Sequence, residues 1–137
     1  MSLIEELLEK LKKLNLPKDK FAIFCSGPLG VRGIRPVNDL DIIVTRDLWR
    51  ELAKEYPTEK LSLPTGQLRI NFKGIEIFEK PAFGFDAEKL IKEADVIDGF
   101  RFVRLKDTVA WKKKMGREKD LEDIKLIGDY LRRFGQV

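Results

Sequence analysis

Two aspartates one residue apart, Asp39 and Asp41, are the residues of this sequence best placed to do chemistry. They open an apolar run, 39–45, that is typical of a β-strand, and side chains alternate along a strand, so both carboxylates point to the same face. Two carboxylates held close need a counter-charge, which a divalent cation supplies. The pair therefore favours a metal site for phosphoryl chemistry over the alternative, two solvated acids where a strand begins.

A third acid, Glu76, lies in a predicted hairpin over 67–80. Apolar and polar residues alternate on both sides of Lys73-Gly74, which predicts a two-residue turn. The resulting register places Glu76 on the polar face, together with Arg69 and Asn71. Glu76 is therefore either a third member of the acidic site or a cross-strand partner of Arg69 or Asn71.

Composition excludes several kinds of site. The 137 residues contain no histidine, which excludes serine–histidine and cysteine–histidine nucleophile pairs and zinc sites that need imidazole. The sequence also lacks a P-loop and a dinucleotide-binding glycine motif. The single cysteine, Cys25, lies in an apolar run, where we expect a buried structural thiol. Catalysis, if present, must use carboxylates, lysine, arginine or a bound metal.

The overall composition predicts one domain over 1–137 in a reducing cytoplasm. Hydrophobic residues make up 43% of the chain, and no apolar run approaches the length of a membrane span. The acidic N-terminal stretch is unlike a signal peptide. Abundant lysine and glutamate with scarce asparagine and glutamine is a bias of thermophilic proteins. A net charge of +4 allows an anionic partner, either a nucleotide or a nucleic acid.

The order of predicted elements indicates an α/β (α+β) fold, a mixed β-sheet flanked by helices. A glycine- and proline-rich connector, 26–38, separates the first two strands. The predicted helices cover 2–16, 47–56, 86–93, 106–115 and 118–133. The predicted strands cover 21–25, 39–45, 61–63, the two arms of the hairpin 67–80, and 96–103.

Lys112 shares a helical face with apolar residues of 106–115, which predicts that it points inward. A buried lysine needs an anion, and a triphosphate or Asp120 would serve. The alternative is a solvated face, because Lys112 belongs to a run of three lysines.

Several other residues are expected to have structural roles. We expect an ion-pair cluster that fixes the last two helices, formed by Arg117, Lys119, Asp120 and Asp123. We expect the loop arginines Arg32 and Arg35 to face solvent, the alternative being contact with phosphates or an acceptor. Trp49 and Trp111 are expected in the core.

Three motifs in this order resemble the nucleotidyltransferase superfamily, which shares its fold with DNA polymerase beta. They are a Ser26-Gly27 turn, then after eleven residues Asp39-Leu40-Asp41-Ile42, and later Ile75-Glu76-Ile77. The segment 110–124, in which a helix with an inward lysine is followed by Arg-x-Lys-Asp-Leu-x-Asp, is similar to one in small members of that superfamily. The family turn usually reads Gly-Ser or Gly-Gly, so Ser26-Gly27-Pro28 is a departure.

The resemblance implies transfer of a nucleoside monophosphate from a nucleoside triphosphate, ATP by default, to an acceptor. Asp39, Asp41 and Glu76 would be catalytic and bind Mg²⁺ or Mn²⁺. Ser26, Gly27 and Lys112 would bind the nucleotide's phosphates. The acceptor stays open among a small molecule, a protein and RNA, bound across a homodimer or by a partner protein.

Two other functions are compatible with the sequence. The departure in the turn favours a domain of the same fold that binds a nucleotide or a protein partner without turnover, as an antitoxin-like or regulatory protein would. The positive net charge and the lysine run favour a basic nucleic-acid-binding module, whose affinity would fall steeply with salt and would not depend on Mg²⁺.

Overall fold

Helices and strands alternate along most of the chain, and two long helices close it. The computed structural model describes residues 2–61 and 67–135. The helices found there are α1 (Leu3–Lys13), α2 (Gly27–Val31), α3 (Arg46–Glu55), α4 (Ala87–Lys92), α5 (Leu105–Met115) and α6 (Glu118–Phe134). The strands are β1 (Phe21–Phe24), β2 (Leu40–Val44), β3 (Glu59–Lys60), β4 (Leu68–Phe72), β5 (Ile75–Phe78), β6 (Asp95–Ile97) and β7 (Phe100–Phe102).

These strands form one mixed sheet in the order β3-β4-β5-β2-β1-β7-β6. β2 lies in the middle, antiparallel to β1 and parallel to β5. Its aliphatic side chains are buried, as a strand covered on both faces requires. The predicted mixed sheet with flanking helices is confirmed.

Alternation along β2 divides the core into two layers. Leu40, Ile42 and Val44 pack on the face covered by α1 and α3. Ile43 packs on the opposite face, with residues of α4 and α5. Since side chains alternate, Asp41 lies on the same face as Ile43, on the side of α5. The sheet therefore directs the carboxylate of Asp41 toward the α5–α6 pair.

The β4–β5 hairpin has the predicted register. Ile70 pairs with Ile77, and Asn71 stands opposite Glu76. The apolar pair lies in the core, whereas Glu76 lies on the other face of the sheet. The hairpin prediction, including its Lys73-Gly74 turn, is confirmed.

The connector 26–38 differs from its prediction because it contains the short helix α2. Pro28 suits the first turn of a helix, where its missing N–H would have no partner. Gly27 allows the helix to lie against β1, since a Cβ at this position would sit 2.2 Å from Cγ2 of Ile23. Glycine and proline signalled a loop in the sequence, but here they serve a tightly packed helical turn.

The predicted single strand over 96–103 is also wrong, because the segment forms the β6–β7 hairpin. Asp98 and Gly99 have φ values of 51° and 82°, the backbone of a tight two-residue turn. The short strand predicted over 61–63 is not found at Leu61, because the nearest strand, β3, covers Glu59–Lys60 and pairs with β4. Residues 62 and 63 lie outside the described residues.

The two closing helices confirm their predictions to within a residue at each end. Leu29, Leu105 and Ile127 form a third apolar cluster that joins α2, α5 and α6. This cluster fixes the helix pair beside the end of the sheet where Asp41 lies. In the described part of the chain, no helix combines the length and apolar character needed to cross a membrane.

Candidate active site

Asp41 and Glu76 lie next to each other on the sheet. They are register partners on the parallel strands β2 and β5, so their side chains project from the same face. Asp39 is exposed just before β2 begins, at the end of the connector. Strand pairing thus brings together acids that are far apart in the chain.

The surroundings of Asp41 change its ionisation. Burial, followed by the negative charges of Glu76 and Asp39, raises the pKa of Asp41 to about 7. A hydrogen bond with the Cys25 thiol works in the opposite direction. Burial and the charge of Asp41 in turn raise the pKa of Cys25 well above its ordinary value. The carboxylates are therefore close enough to repel one another and are not fully neutralised.

Arg69 supplies part of the missing positive charge. Its Nη1 lies 3.2 Å from Oε1 of Glu76, and its Nε donates to Oε1 of Glu59 at 3.2 Å. The cross-strand partnership predicted as one of two roles for Glu76 is therefore present. It does not remove Glu76 from the acidic site, because Asp41 lies on the other side of the same carboxylate.

These acids lie in a cleft of about 840 Å³ between the sheet and the α5–α6 pair. Among the described residues, six acidic and five basic side chains line it. The acids are Asp39, Asp41, Glu76, Asp120, Glu122 and Asp123, and the bases are Arg35, Arg69, Lys112, Arg117 and Lys119. The lining is close to neutral, with a small excess of negative charge.

Lys112 points inward as predicted and is only 2% exposed. Its Nζ lies 2.9 Å from Oδ2 of Asp123 and 3.6 Å from Oδ1 of Asp120. Burial tends to raise the pKa of both acids, but hydrogen bonds and positive charges outweigh it and lower both pKa values. Arg117 and Lys112 lower the pKa of Asp120, and Arg35 and Lys112 lower the pKa of Asp123. The predicted ion-pair cluster is therefore present, and the anion that a buried lysine needs is a protein carboxylate.

Lys119, the fourth residue predicted for that cluster, is exposed on the wall of the cleft and lies outside these ion pairs.

Arg35 connects the segment before β2 to α6. Its Nε and Nη2 donate to the two carboxylate oxygens of Asp123 at 2.7 and 2.9 Å, and Nη2 also donates to Oγ of Ser26 at 2.7 Å. Arg32 is bonded at 2.9 Å to Asp95, with its side chain nearly buried. The prediction that these two arginines face solvent is wrong, because each meets a carboxylate from a distant segment.

An aromatic wall of the cleft was not predicted. Phe24 packs edge-to-face against Phe78 and Trp111, with ring centroids 5.5 and 5.7 Å apart. Trp111 is a core residue, as predicted for it and for Trp49, but it also lines the cleft. A signal was present in the sequence, because the predicted hairpin register places Phe78 opposite Arg69 on the polar face.

Cys25 differs from its prediction only in part. The residue follows β1 with a φ of 62° and is half-buried on the cleft wall. It packs against the core, as predicted, but it is also part of the site. The positive φ turns the chain from β1 into α2 and leaves Ser26 at the cleft.

No known protein family and no curated protein matches this sequence. The structure, however, is similar to that of a Thermotoga maritima protein described as a "putative nucleotidyltransferase", with a TM-score of 0.55 over 94% of both chains and 18% sequence identity. The fold is nucleotidyltransferase-like. This likeness concerns the architecture, and the roles of individual residues depend on the geometry of the cleft.

Within this nucleotidyltransferase-like fold, five of the six predicted site residues line the cleft: Ser26, Asp39, Asp41, Glu76 and Lys112. Gly27 does not, because it is buried against Ile23 of β1. Its small size serves the packing of α2. The chemical roles of the other five stay predictions.

The oxygen donors of the site suit a hard divalent cation in kind. Carboxylates are the ligands that Mg²⁺ takes from proteins, and the negative charges of Glu76 and Asp39, which act with burial to raise the pKa of Asp41, would be offset by a cation there. Over 2–61 and 67–135, however, no group of three or more acidic, thiol or imidazole side chains is arranged to hold a metal ion. The donors are of the right type and adjacent, but they are not gathered around one point.

Proposed function

We propose that the chain is a Mg²⁺-dependent nucleotidyltransferase that transfers a nucleoside monophosphate from a nucleoside triphosphate, ATP by default, to an acceptor. The observation that carries this proposal is the pairing of Asp41 with Glu76 on one face of the sheet, beside Asp39. The nucleotidyltransferase-like fold supports it. So does the cleft of about 840 Å³, since pockets of this size hold small-molecule ligands and cofactors.

The charge of the cleft makes the proposed binding depend on a cation. The lining carries about as many acids as bases, and most of the bases already form ion pairs. A triphosphate alone would therefore meet little net attraction. With a divalent cation at the acids, the same cleft becomes positive and attracts it.

In this proposal Asp39, Asp41 and Glu76 would hold Mg²⁺. A bound Mg²⁺ supplies electrostatic stabilisation of the charge that develops on the transferring group. Glu76 would complete a second metal position or, alternatively, act as the general base that accepts the proton of the acceptor hydroxyl. The acceptor oxygen attacks the α-phosphorus, and the bond to the pyrophosphate leaving group breaks.

Ser26 and Lys112 have narrower roles in the proposal than the resemblance implies. The hydroxyl of Ser26 already accepts a hydrogen bond from Arg35, and the charge of Lys112 is already met by Asp123 and Asp120. We propose that both residues first fix the cleft wall. Direct contact with phosphate would require each to exchange a protein partner for the ligand.

Pyrophosphate release tests the proposed chemistry without knowledge of the acceptor, because water can act as a slow acceptor. Purified protein with ATP and Mg²⁺ should release pyrophosphate and AMP. The Asp41→Asn variant should release at least about a hundredfold less, given the loss of a charged ligand. CTP, GTP and UTP in parallel reactions would establish the donor preference. Activity that is equal in wild type and Asp41→Asn would contradict the proposal.

Nucleotide binding without turnover is a second candidate, favoured by the ion pair that engages Glu76 and the hydrogen bond that engages Ser26. It predicts Mg²⁺-dependent binding of ATP with no pyrophosphate release under any acceptor condition. Calorimetric titration of ATP with Mg²⁺, beside the release assay, separates the two candidates.

A further inference from the structure

We propose that Arg69 is a built-in counter-ion that occupies Glu76 until a cation binds, and then withdraws to Glu59. The inference rests on the proposed function, because the cation is the one assigned to the acidic cleft. It adds a residue that the sequence motifs do not include and gives it a positioning role, since Arg69 would act through Glu76.

Four neighbouring strands carry a row of charged side chains across the sheet. Along β3, β4, β5 and β2 the row reads Glu59, Arg69, Glu76 and Asp41. Glu59 is the register partner of Arg69, and Glu76 is the register partner of Asp41. Glu76 lies diagonally across from Arg69 in the hairpin, a spacing that a long side chain bridges. The row therefore runs acid, base, acid, acid.

Arg69 contacts both of its acidic neighbours in the folded chain. Its Nη1 is 3.2 Å from Glu76, and its Nε is 3.2 Å from Glu59. The side chains of Arg69 and Glu76 are 25% and 24% exposed, whereas the side chain of Glu59 is 51% exposed. The guanidinium can thus shift toward Glu59 over the open edge of the sheet while it keeps one ion pair.

A divalent cation shared by Asp41 and Glu76 would stand close to the guanidinium of Arg69. The two like charges repel, and they compete for the same carboxylate. Glu59 offers Arg69 a carboxylate for which the cation does not compete. Withdrawal would leave Glu76, which already interacts with Asp41, without a competing positive charge beside it.

Titration of Mn²⁺ in the absence of nucleotide, followed by electron paramagnetic resonance of the free ion, tests the competition directly. Arg69→Gln should bind Mn²⁺ about tenfold more tightly than wild type, because one adjacent positive charge is gone. Arg69→Lys keeps the charge and should stay within about threefold of wild type. Arg50→Gln makes the same change of net charge at an exposed position of α3 outside the cleft, and should leave Mn²⁺ affinity unchanged.

Glu59 is tested by its coupling to Arg69. Glu59→Gln should weaken Mn²⁺ binding several-fold in wild type, because Arg69 loses the place to which it withdraws. In the Arg69→Gln background the same change should have almost no effect. An equal loss in both backgrounds would mean that Glu59 acts only as a distant charge, which would overturn the withdrawal.

Two further results would overturn the proposal in different ways. If all folded variants bind Mn²⁺ with the same affinity, Arg69 does not compete with the cation, while the proposed function stands. If neither wild type nor Arg69→Gln binds Mn²⁺ at millimolar concentration, the counter-ion role fails together with the cation requirement of the proposed function. A circular-dichroism melt of each variant shows that the fold is retained.

Discussion

At the scale of single residues, Asp41 is the side chain on which the account of the cleft depends most. It is half-buried between Glu76 on one side and the Cys25 thiol on another. Its pKa is raised to about 7, mainly by burial and then by the neighbouring carboxylates. The negative charges of Glu76 and Asp39, which add to the effect of burial on Asp41, would make a cation favourable there.

The raised pKa of Asp41 predicts a pH-dependent effect of Asp41→Asn on stability. At pH 4 the acid is protonated in the folded chain and only about half ionised in the unfolded chain, so it costs little stability. As the pH rises to 8, the unfolded chain ionises readily and the folded chain resists until about pH 7, so wild type loses stability. Asp41→Asn should therefore raise the free energy of unfolding by about 2 kcal/mol at pH 8, a figure lowered for solvent screening. At pH 4 it should be nearly neutral.

Urea denaturation in EDTA at the two pH values measures this difference. Asp19→Asn, a change at an exposed residue outside the cleft, is the control. A stability difference between Asp41→Asn and wild type that is the same at pH 4 and pH 8 would show that Asp41 ionises in the folded chain as it does in the unfolded one.

At the scale of elements, the α5–α6 pair closes the cleft and is fixed to the rest of the molecule by buried charges. Lys112 of α5 forms an ion pair with Asp123 of α6. Asp123 also accepts hydrogen bonds from Nε and Nη2 of Arg35, which lies in the segment before β2. A single carboxylate thus joins three parts of the chain. Such networks are stable only when all their members are present.

Removal of Lys112 from this network should destabilise the protein. Lys112→Met keeps the length of the side chain but leaves buried negative charge on Asp120 and Asp123, whose arginine partners remain. We expect a loss of about 2–3 kcal/mol in the free energy of unfolding. Lys113→Met, at the exposed neighbouring position, is the matched control and should cost less than about 0.5 kcal/mol. Equal effects in urea denaturation would place Lys112 outside the core network.

The packing of α2 on β1 predicts that two glycines differ in how their replacement by alanine changes stability. Gly27→Ala places a methyl group 2.2 Å from Cγ2 of Ile23, so it should destabilise by about 1–3 kcal/mol. Gly128→Ala on α6 meets its nearest atom, the end of the Arg132 side chain, at 3.6 Å. It should be neutral or stabilising by about 0.5–1 kcal/mol, because alanine favours the helix. Thermal melts of both variants check the comparison, and a neutral Gly27→Ala would contradict the packing described for α2.

At the scale of the whole molecule, the cleft collects acids and bases from both halves of the chain into a nearly neutral lining. This balance predicts that ATP and Mg²⁺ stabilise the protein only together. ATP with Mg²⁺ should raise the melting temperature by several degrees at ligand concentrations well above Kd. ATP with EDTA should raise it by less than about one degree, and Glu76→Gln should reduce the combined effect. Stabilisation by ATP in EDTA equal to that in Mg²⁺ would contradict the cation requirement.

The sequence predicted the parts of this molecule whose signals are local. The alternation of 67–80 determined the hairpin register, and with it the position of Glu76 beside Arg69. The helical phase of Lys112 predicted its burial. The bond between Arg35 and Asp123 could not be predicted in this way, because it joins segments 88 positions apart that only the packing of α6 brings together.

Local signals also failed where the same residue types occur in two kinds of structure. Glycine and proline in 26–38 indicated a loop, and the helix α2 forms there because Gly27 permits close contact with β1. The aromatic wall was missed for a related reason, since Phe24, Phe78 and Trp111 are core residues and also line the cleft. Burial alone could not distinguish the two roles.

A crystal of the protein grown with Mn²⁺ and a non-hydrolysable ATP analogue shows whether the acids of the cleft hold a cation beside the nucleotide. We expect an anomalous Mn²⁺ peak about 2.1–2.3 Å from carboxylate oxygens of Asp41 and Glu76, with the triphosphate in the same cleft. Nucleotide bound in the cleft with no anomalous peak at these acids, or nucleotide bound elsewhere on the molecule, would contradict this expectation.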